Sequence, residues 1–156
     1  MADSQDSISR IRFIENKNQW QPQVLFRADV PMGYMYLEKT GFTFDLANPE
    51  DMANVHYLKD NAIQIDLEDV IVSKHAYKII FQNANNPDIS SEGKSNDYSN
   101  YFIGNDKSKW ASKVFAFNKV KYSGLYDGID AVIYPSKYYV KYDFIIAPGA
   151  NANQIQ

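Results

Sequence analysis

The sequence predicts an all-β fold, an antiparallel β-sandwich-like domain with one short helix. Three observations carry that expectation. Tyr and Phe number 12 and 9 in 156 residues, and both favour pleated, half-buried surfaces. Apolar residues recur at period 2 in short runs such as Phe42-Thr43-Phe44-Asp45-Leu46. From Val120 to Ala150, two β-type runs flank a turn at Pro135-Ser136-Lys137, and Pro148-Gly149-Ala150 closes the second.

Residues 1–9 read as a disordered leader on a trimmed mature start, and 10–156 as a single β-rich domain. Apolar alternation begins at Ile11 and Phe13, and Val24 to Val30 reads as a strand ended by Pro31. Tyr34 to Glu38 and Phe42 to Leu46 form a hairpin about Lys39-Thr40-Gly41, with Gly41 supplying a positive φ. Asn48-Pro49-Glu50-Asp51 is a helix start: a cap, a first-turn proline and two acids at the positive helix end. The helix is expected to end near Tyr57. Ala62 to Leu67 and Ala76 to Phe81 alternate as strands. Residues 83–100, rich in Asn, Ser and Asp, read as a long surface loop. Tyr101-Phe102-Ile103 and Lys113 to Phe117 precede the final hairpin.

Patterning selects the register of that hairpin. Pairing Tyr134 with Tyr139 puts Ile129, Ala131 and Ile133 on one face with Val140, Tyr142, Phe144 and Ile146. It also sets Asp130 opposite Asp143, a repulsion that water, Lys141 or a bound cation must relieve. The expected core is Phe42, Phe44, Leu46, Ile79, Phe81, Ile129, Ile133, Tyr142 and Phe144.

Charge and composition exclude several functions. A net charge of -3 lacks the basic stripe that a phosphate backbone requires, so no nucleic-acid partner is expected. Without Cys there is no disulfide, thiolate zinc site or thiol nucleophile. No apolar run approaches the roughly 20 residues that span a bilayer as a helix.

A set of motifs in fixed order runs from about Arg12 onward: Phe13-Ile14-Glu15-Asn16-Lys17-Asn18-Gln19-Trp20, the strand at Val24 to Phe26, His75-Ala76-Tyr77-Lys78 and Asn100-Tyr101-Phe102-Ile103-Gly104-Asn105-Asp106 through Trp110. Tyr126-Asp127-Gly128-Ile129-Asp130 and Tyr142-Asp143-Phe144 with Pro148-Gly149-Ala150 complete it. On these motifs the chain resembles the uncharacterised N-terminal module of large surface proteins from gliding, type IX-secreting Bacteroidetes. Those proteins often continue into SBBP-type β-propeller repeats or PKD-like domains and end in a C-terminal sorting domain. Asn18 stands where the family typically has Gly, and Asn is the next residue to tolerate left-handed φ. The resemblance implies export to a secreted or cell-surface location and no catalytic residues. It also implies further strands past Gln156, so the domain is expected to lack its last strands and to leave a sheet edge or apolar face open.

Candidate site residues each have two readings. Asp127, Asp130 and Asp143 form the best acidic group and suit Ca²⁺, which takes oxygen ligands; as turn and outward positions they equally fit plain solvent chemistry. Trp110 stacks on a sugar ring or plugs the sheet, and Trp20 has the same choice. Tyr134 and Tyr139, with Tyr138, form an exposed aromatic strip or cover a neighbouring domain. His56 and His75 read as structural.

Three functions compete. The first is a non-catalytic structural or interaction domain of an adhesin-like surface protein, needing no cofactor and meeting neighbouring domains, surface proteins or glycans. The second is a carbohydrate-binding domain using Trp110, Tyr134 and Tyr139. The third, a hydrolase, would need a pocket with perturbed carboxylates.

Overall fold

A computed structural model describes residues 11–61 and 70–156. Its strands are β1 (Phe13–Glu15), β2 (Phe26–Val30), β3 (Gly33–Glu38), β4 (Gly41–Ala47), β5 (Lys74–Ile80) and β6 (Asp88–Glu92). They continue with β7 (Tyr98–Tyr101), β8 (Ala111–Phe117), β9 (Lys119–Tyr126), β10 (Ile129–Pro135) and β11 (Val140–Ile146). Two antiparallel sheets result. One has seven strands in the order β5-β4-β3-β2-β1-β8-β7, the other four in the order β11-β10-β9-β6. The all-β, sandwich-like class is therefore the one the chain adopts, with one α-helix among the described residues.

Period-2 alternation builds the core between the sheets. Phe13, Ala28, Met35, Leu37 and Phe42 come from the larger sheet; Val120, Tyr122, Ile129, Ala131 and Ile133 come from the smaller. All are 0–1% exposed. Phe42 meets Phe81 edge-on at 5.1 Å and Tyr142 at 5.6 Å, and Phe144 reaches Phe81 at 5.9 Å. Such ring pairs add about 0.5–1.5 kcal/mol each beyond their buried area. The Tyr122 hydroxyl crosses the gap and donates to the Glu38 carbonyl at 2.8 Å.

Part of the expected core is different. Phe42, Phe81, Ile129 and Ile133 are buried, and Phe44, Ile79 and Phe144 pack against them half-buried. Leu46 is half-buried too, and Tyr142 is 44% exposed. The reason is position: β11 has one neighbour, so its inner row opens at the margin of the sandwich.

The stretch 83–100 is not a long loop, because it holds β6 and most of β7. Its polar composition hid them. Strand β6 reads Asp-Ile-Ser-Ser-Glu and lies at the edge of the smaller sheet, held by its ladder with β9 from Asp88↔Ser123 to Glu92↔Lys119. Edge strands tolerate this because little of their surface is buried.

The final hairpin is shifted by two residues from the expected register. Pro135 pairs with Val140, and the Ser136 N–H donates to the Tyr139 carbonyl at 2.7 Å, so the turn falls at Lys137-Tyr138. Ladder hydrogen bonds alternate, which leaves Pro135 at a position where its missing N–H costs nothing toward β11. A two-residue shift preserves the faces, so the expected apolar row survives intact. Asp130 instead faces Ile145 and Asp143 faces Val132. The predicted juxtaposition of the two carboxylates therefore does not form.

Helix α1 (Pro49–Asp60) begins as predicted and runs three residues past Tyr57. Asn48 Oδ1 accepts from the Glu50 N–H at 2.8 Å, and no helix residue is buried. Gly41 has the expected positive φ, +157°, and the close approach of β5 demands glycine as well. It pairs with Glu38 inside the ladder, and a Cβ there would lie 2.0 Å from the Ile79 carbonyl oxygen. Strand β5 covers the predicted run Ala76 to Phe81 almost entirely. The predicted strand Ala62 to Leu67 and the predicted leader 1–9 lie outside the described residues.

Candidate functional site

Residues of β3, β4 and β5 that alternate with the core row project from the outer face of the larger sheet. The ladder aligns Arg27, Tyr36, Thr43 and Lys78 side by side across four strands. Glu38 stands on the same face, only 8% exposed, and is held there by a hydrogen bond from the Thr43 hydroxyl at 2.7 Å and by the Lys78 ammonium. A buried carboxylate needs that pairing, because an unpaired charge in such a place costs several kcal/mol. Burial raises the pKa of the Tyr36 phenol above its ordinary value, with the Arg27 charge opposing and the Asp45 charge adding.

A loop from Asn16 to Val24 forms a wall over this floor. Its organiser is the side chain of Asn16. The amide donates to the carbonyls of Gln21 at 3.0 Å and Val24 at 2.8 Å. Its oxygen accepts from the N–H groups of Asn18 at 3.0 Å and Trp20 at 3.2 Å. Asn18 adopts φ +86°, the left-handed conformation expected where glycine is usual. Its side chain, which glycine lacks, donates to the Ser108 carbonyl and ties the wall to the 3₁₀ turn Lys107–Lys109. Trp20 lies on the Arg27 guanidinium at 4.5 Å, and Tyr34 takes the same cation at 4.4 Å. An ion pair of 3.0 Å to Asp29 completes the Arg27 environment.

Between wall and floor lies a cleft of about 780 Å³. Trp20, Tyr36, Glu38, Thr43 and Lys78 line it, with Gln19, Gln21 and Gln23 from the loop and Lys109 at the far side. That volume is in the range of small-molecule sites. The lining combines rings, amides and one compensated ion pair.

The sequence-derived candidates stand elsewhere. Trp110 precedes β8, is 38% exposed, donates its indole N–H to the Gly104 carbonyl at 3.1 Å and packs on Phe102 at 5.6 Å. Tyr134 is on the outer face of the smaller sheet, where its hydroxyl donates to Asp143 at 2.6 Å. That bond raises the Tyr134 pKa. Tyr139 follows the hairpin turn and is 59% exposed. Trp110 thus stands just before a strand of the larger sheet, and Tyr134 on a strand of the smaller.

The three acids are also engaged separately. Asp127 accepts from the Asn85 amide at 3.1 Å. Asp130 binds Lys121 at 2.8 Å and the Gly124 N–H at 2.8 Å, and the Lys121 hydrogen bond, then that N–H, hold its carboxyl below the ordinary value. Asp130 and Asp143 are thus engaged singly, by Lys121 and by Tyr134, with no facing pair to relieve. No group of three His, Cys, Asp or Glu side chains arranged to hold a metal occurs among the described residues. His56 is on α1, and the His75 ring lies 5.8 Å from Tyr77.

Sequence reasoning missed Tyr36, Glu38, Thr43 and Lys78 as a site. The available signal is the polar and aromatic set alternating with Met35, Leu37, Phe42 and Phe44, which marks the outward face of these strands.

A profile of the family described as Domain of unknown function (DUF7948) matches residues 13–156. The chain belongs to that family. No curated protein and no solved structure matches it. The DUF7948 match takes in every strand of both sheets and both walls of the cleft.

Proposed function

We propose that this DUF7948 domain is a non-catalytic structural and interaction domain of an exported bacterial cell-surface protein. Type IX secretion would deliver it, and it would act without a cofactor. One observation supports this reading. Where the sheets part between β5 and β11, apolar side chains of the inner faces are open: Tyr77 is 41% exposed, Tyr142 44% and Ile146 42%. Phe44 stacks on Tyr77 at 4.8 Å and Tyr142 leans on Phe42, so this margin is continuous with the core. Contiguous apolar surface of that kind marks contact sites, and a neighbouring domain of the full-length protein is the fitting partner.

The test is hydrogen exchange on the isolated domain and on the full-length protein. Added protection of β5 and β11 amides in the longer chain, lost in Tyr142→Ser/Ile146→Ser, supports the reading. Identical exchange in both removes it.

Carbohydrate recognition is the second reading. It rests on a different surface, the cleft over the larger sheet, where ring faces and side-chain amides meet.

A further inference from the structure

We propose that the cleft over β3, β4 and β5 binds a neutral oligosaccharide. Tyr36 and Trp20 would receive sugar faces, while the glutamine amides of the Asn16–Val24 loop and the Glu38–Lys78 pair bond its hydroxyls. This rests on the carbohydrate reading and is independent of contact at the β5/β11 margin.

Three features fit that ligand class. First, hydroxyls both donate and accept, and so do side-chain amides; Gln21 and Gln23 offer two of them along one wall, while the Gln19 amide is held by the Glu15 carbonyl and the Lys17 N–H. Second, the ionic groups of the floor compensate each other. Glu38 holds Lys78, and Arg27 holds Asp29 while sandwiched between two rings. An anionic saccharide would find Lys109 at the rim but no cluster of cations. The Glu38 carboxylate has acceptor capacity beyond Thr43 and Lys78, since an ionised carboxylate offers about four lone-pair sites. Third, the site is built before any ligand arrives. Asn16 fixes the loop through four hydrogen bonds, Asn18 ties it to Ser108, and the Arg27 guanidinium fixes Trp20. Preorganisation lowers the ordering cost that weak sugar contacts must overcome. The Tyr36 phenol is a donor at neutral pH by its ordinary pKa, which burial only raises further.

The experiment is an array of neutral and anionic oligosaccharides, followed by calorimetric titration with the strongest neutral hit. Variants are Tyr36→Ala, the exposed pair Gln21→Ala/Gln23→Ala, Trp110→Ala/Tyr139→Ala and Tyr142→Ser. The expected result is a neutral hit, indifferent to calcium or chelator. Tyr36→Ala and the glutamine pair should weaken it at least tenfold, while the other two variants leave it unchanged. The glutamine pair lies on solvent-exposed loop positions, so it reports on the cleft even if Tyr36→Ala fails to fold. A blank array, hits confined to anionic saccharides, or a hit lost only in Trp110→Ala/Tyr139→Ala would each overturn the proposal. A blank array leaves the margin reading standing, because that is read by exchange in the full-length protein.

Discussion

Asn16 carries more structural responsibility than any other single polar side chain near the cleft. It uses both amide hydrogens and its oxygen within one loop. Asn16→Ala leaves two carbonyls and two N–H groups to find water, and should cost about 1–3 kcal/mol in urea unfolding. Amides of residues 17–23 should exchange faster even where the core does not. Asp130 gives a second prediction. Its folded carboxyl titrates below the ordinary 3.8, so folding favours the ionised form. That stability is present above the unfolded value and is lost as acid lowers the pH through the folded one. The melting temperature of Asp130→Asn should therefore lag the parent most above the ordinary carboxylate range and converge with it as acid takes the pH below the folded value. Asn18 was legible in advance, since only a few residue types accept left-handed φ. The partner of Asp130 was not, because Lys121 becomes its neighbour only through the β9–β10 ladder and the irregularity at Gly124.

At the scale of elements, local chemistry was easiest to read where it is self-contained. The helix start at Asn48 and Pro49 and the hairpin of β3 and β4 follow from short-range rules. Helix α1 buries no residue, so its stability comes from its cap and backbone and not from the core. Asn48→Ala should cost about 1 kcal/mol locally. Circular dichroism should show a loss of helix, while the global unfolding midpoint moves little. Strand β6 shows the opposite case. Nothing in Asp-Ile-Ser-Ser-Glu announces a strand, since its pairing with β9 supplies backbone bonds that side-chain patterning does not encode. The shifted final hairpin has the same lesson: apolar patterning fixes the face, a period-2 property, but is silent about a slip of two.

For the molecule as a whole, the union of the sheets depends on a few side chains that reach across. Tyr122 is fully buried and its hydroxyl joins β9 to the Glu38 carbonyl on β3. Tyr122→Phe should cost about 1–2 kcal/mol, chiefly through the orphaned carbonyl. Burial, and then the Glu38 charge, raise the Tyr122 pKa above 10.0. The unfolded chain loses that proton first, so stability is intact below pH 10 and falls as pH rises above it. Tyr122→Phe should flatten that alkaline slope in urea titrations. The same Glu38 whose backbone receives Tyr122 presents its carboxylate to the cleft on the other side of the sheet.

Strand β1 joins the two halves of the larger sheet, with Phe13 opposite Ala28 on one side and Phe117 on the other. A chain growing from its N-terminus forms the first contact within one hairpin's length of synthesis. The second waits for Phe117, 89 residues beyond Ala28. Until then β1 has an open edge and the Asn16 loop lacks the Ser108 carbonyl that steadies it. Closure is thus a late, long-range event of the kind that folds in milliseconds to seconds. A nascent chain stalled before Phe117 would present a sheet of incomplete strands, with the edge of β1 open to pairing with another chain.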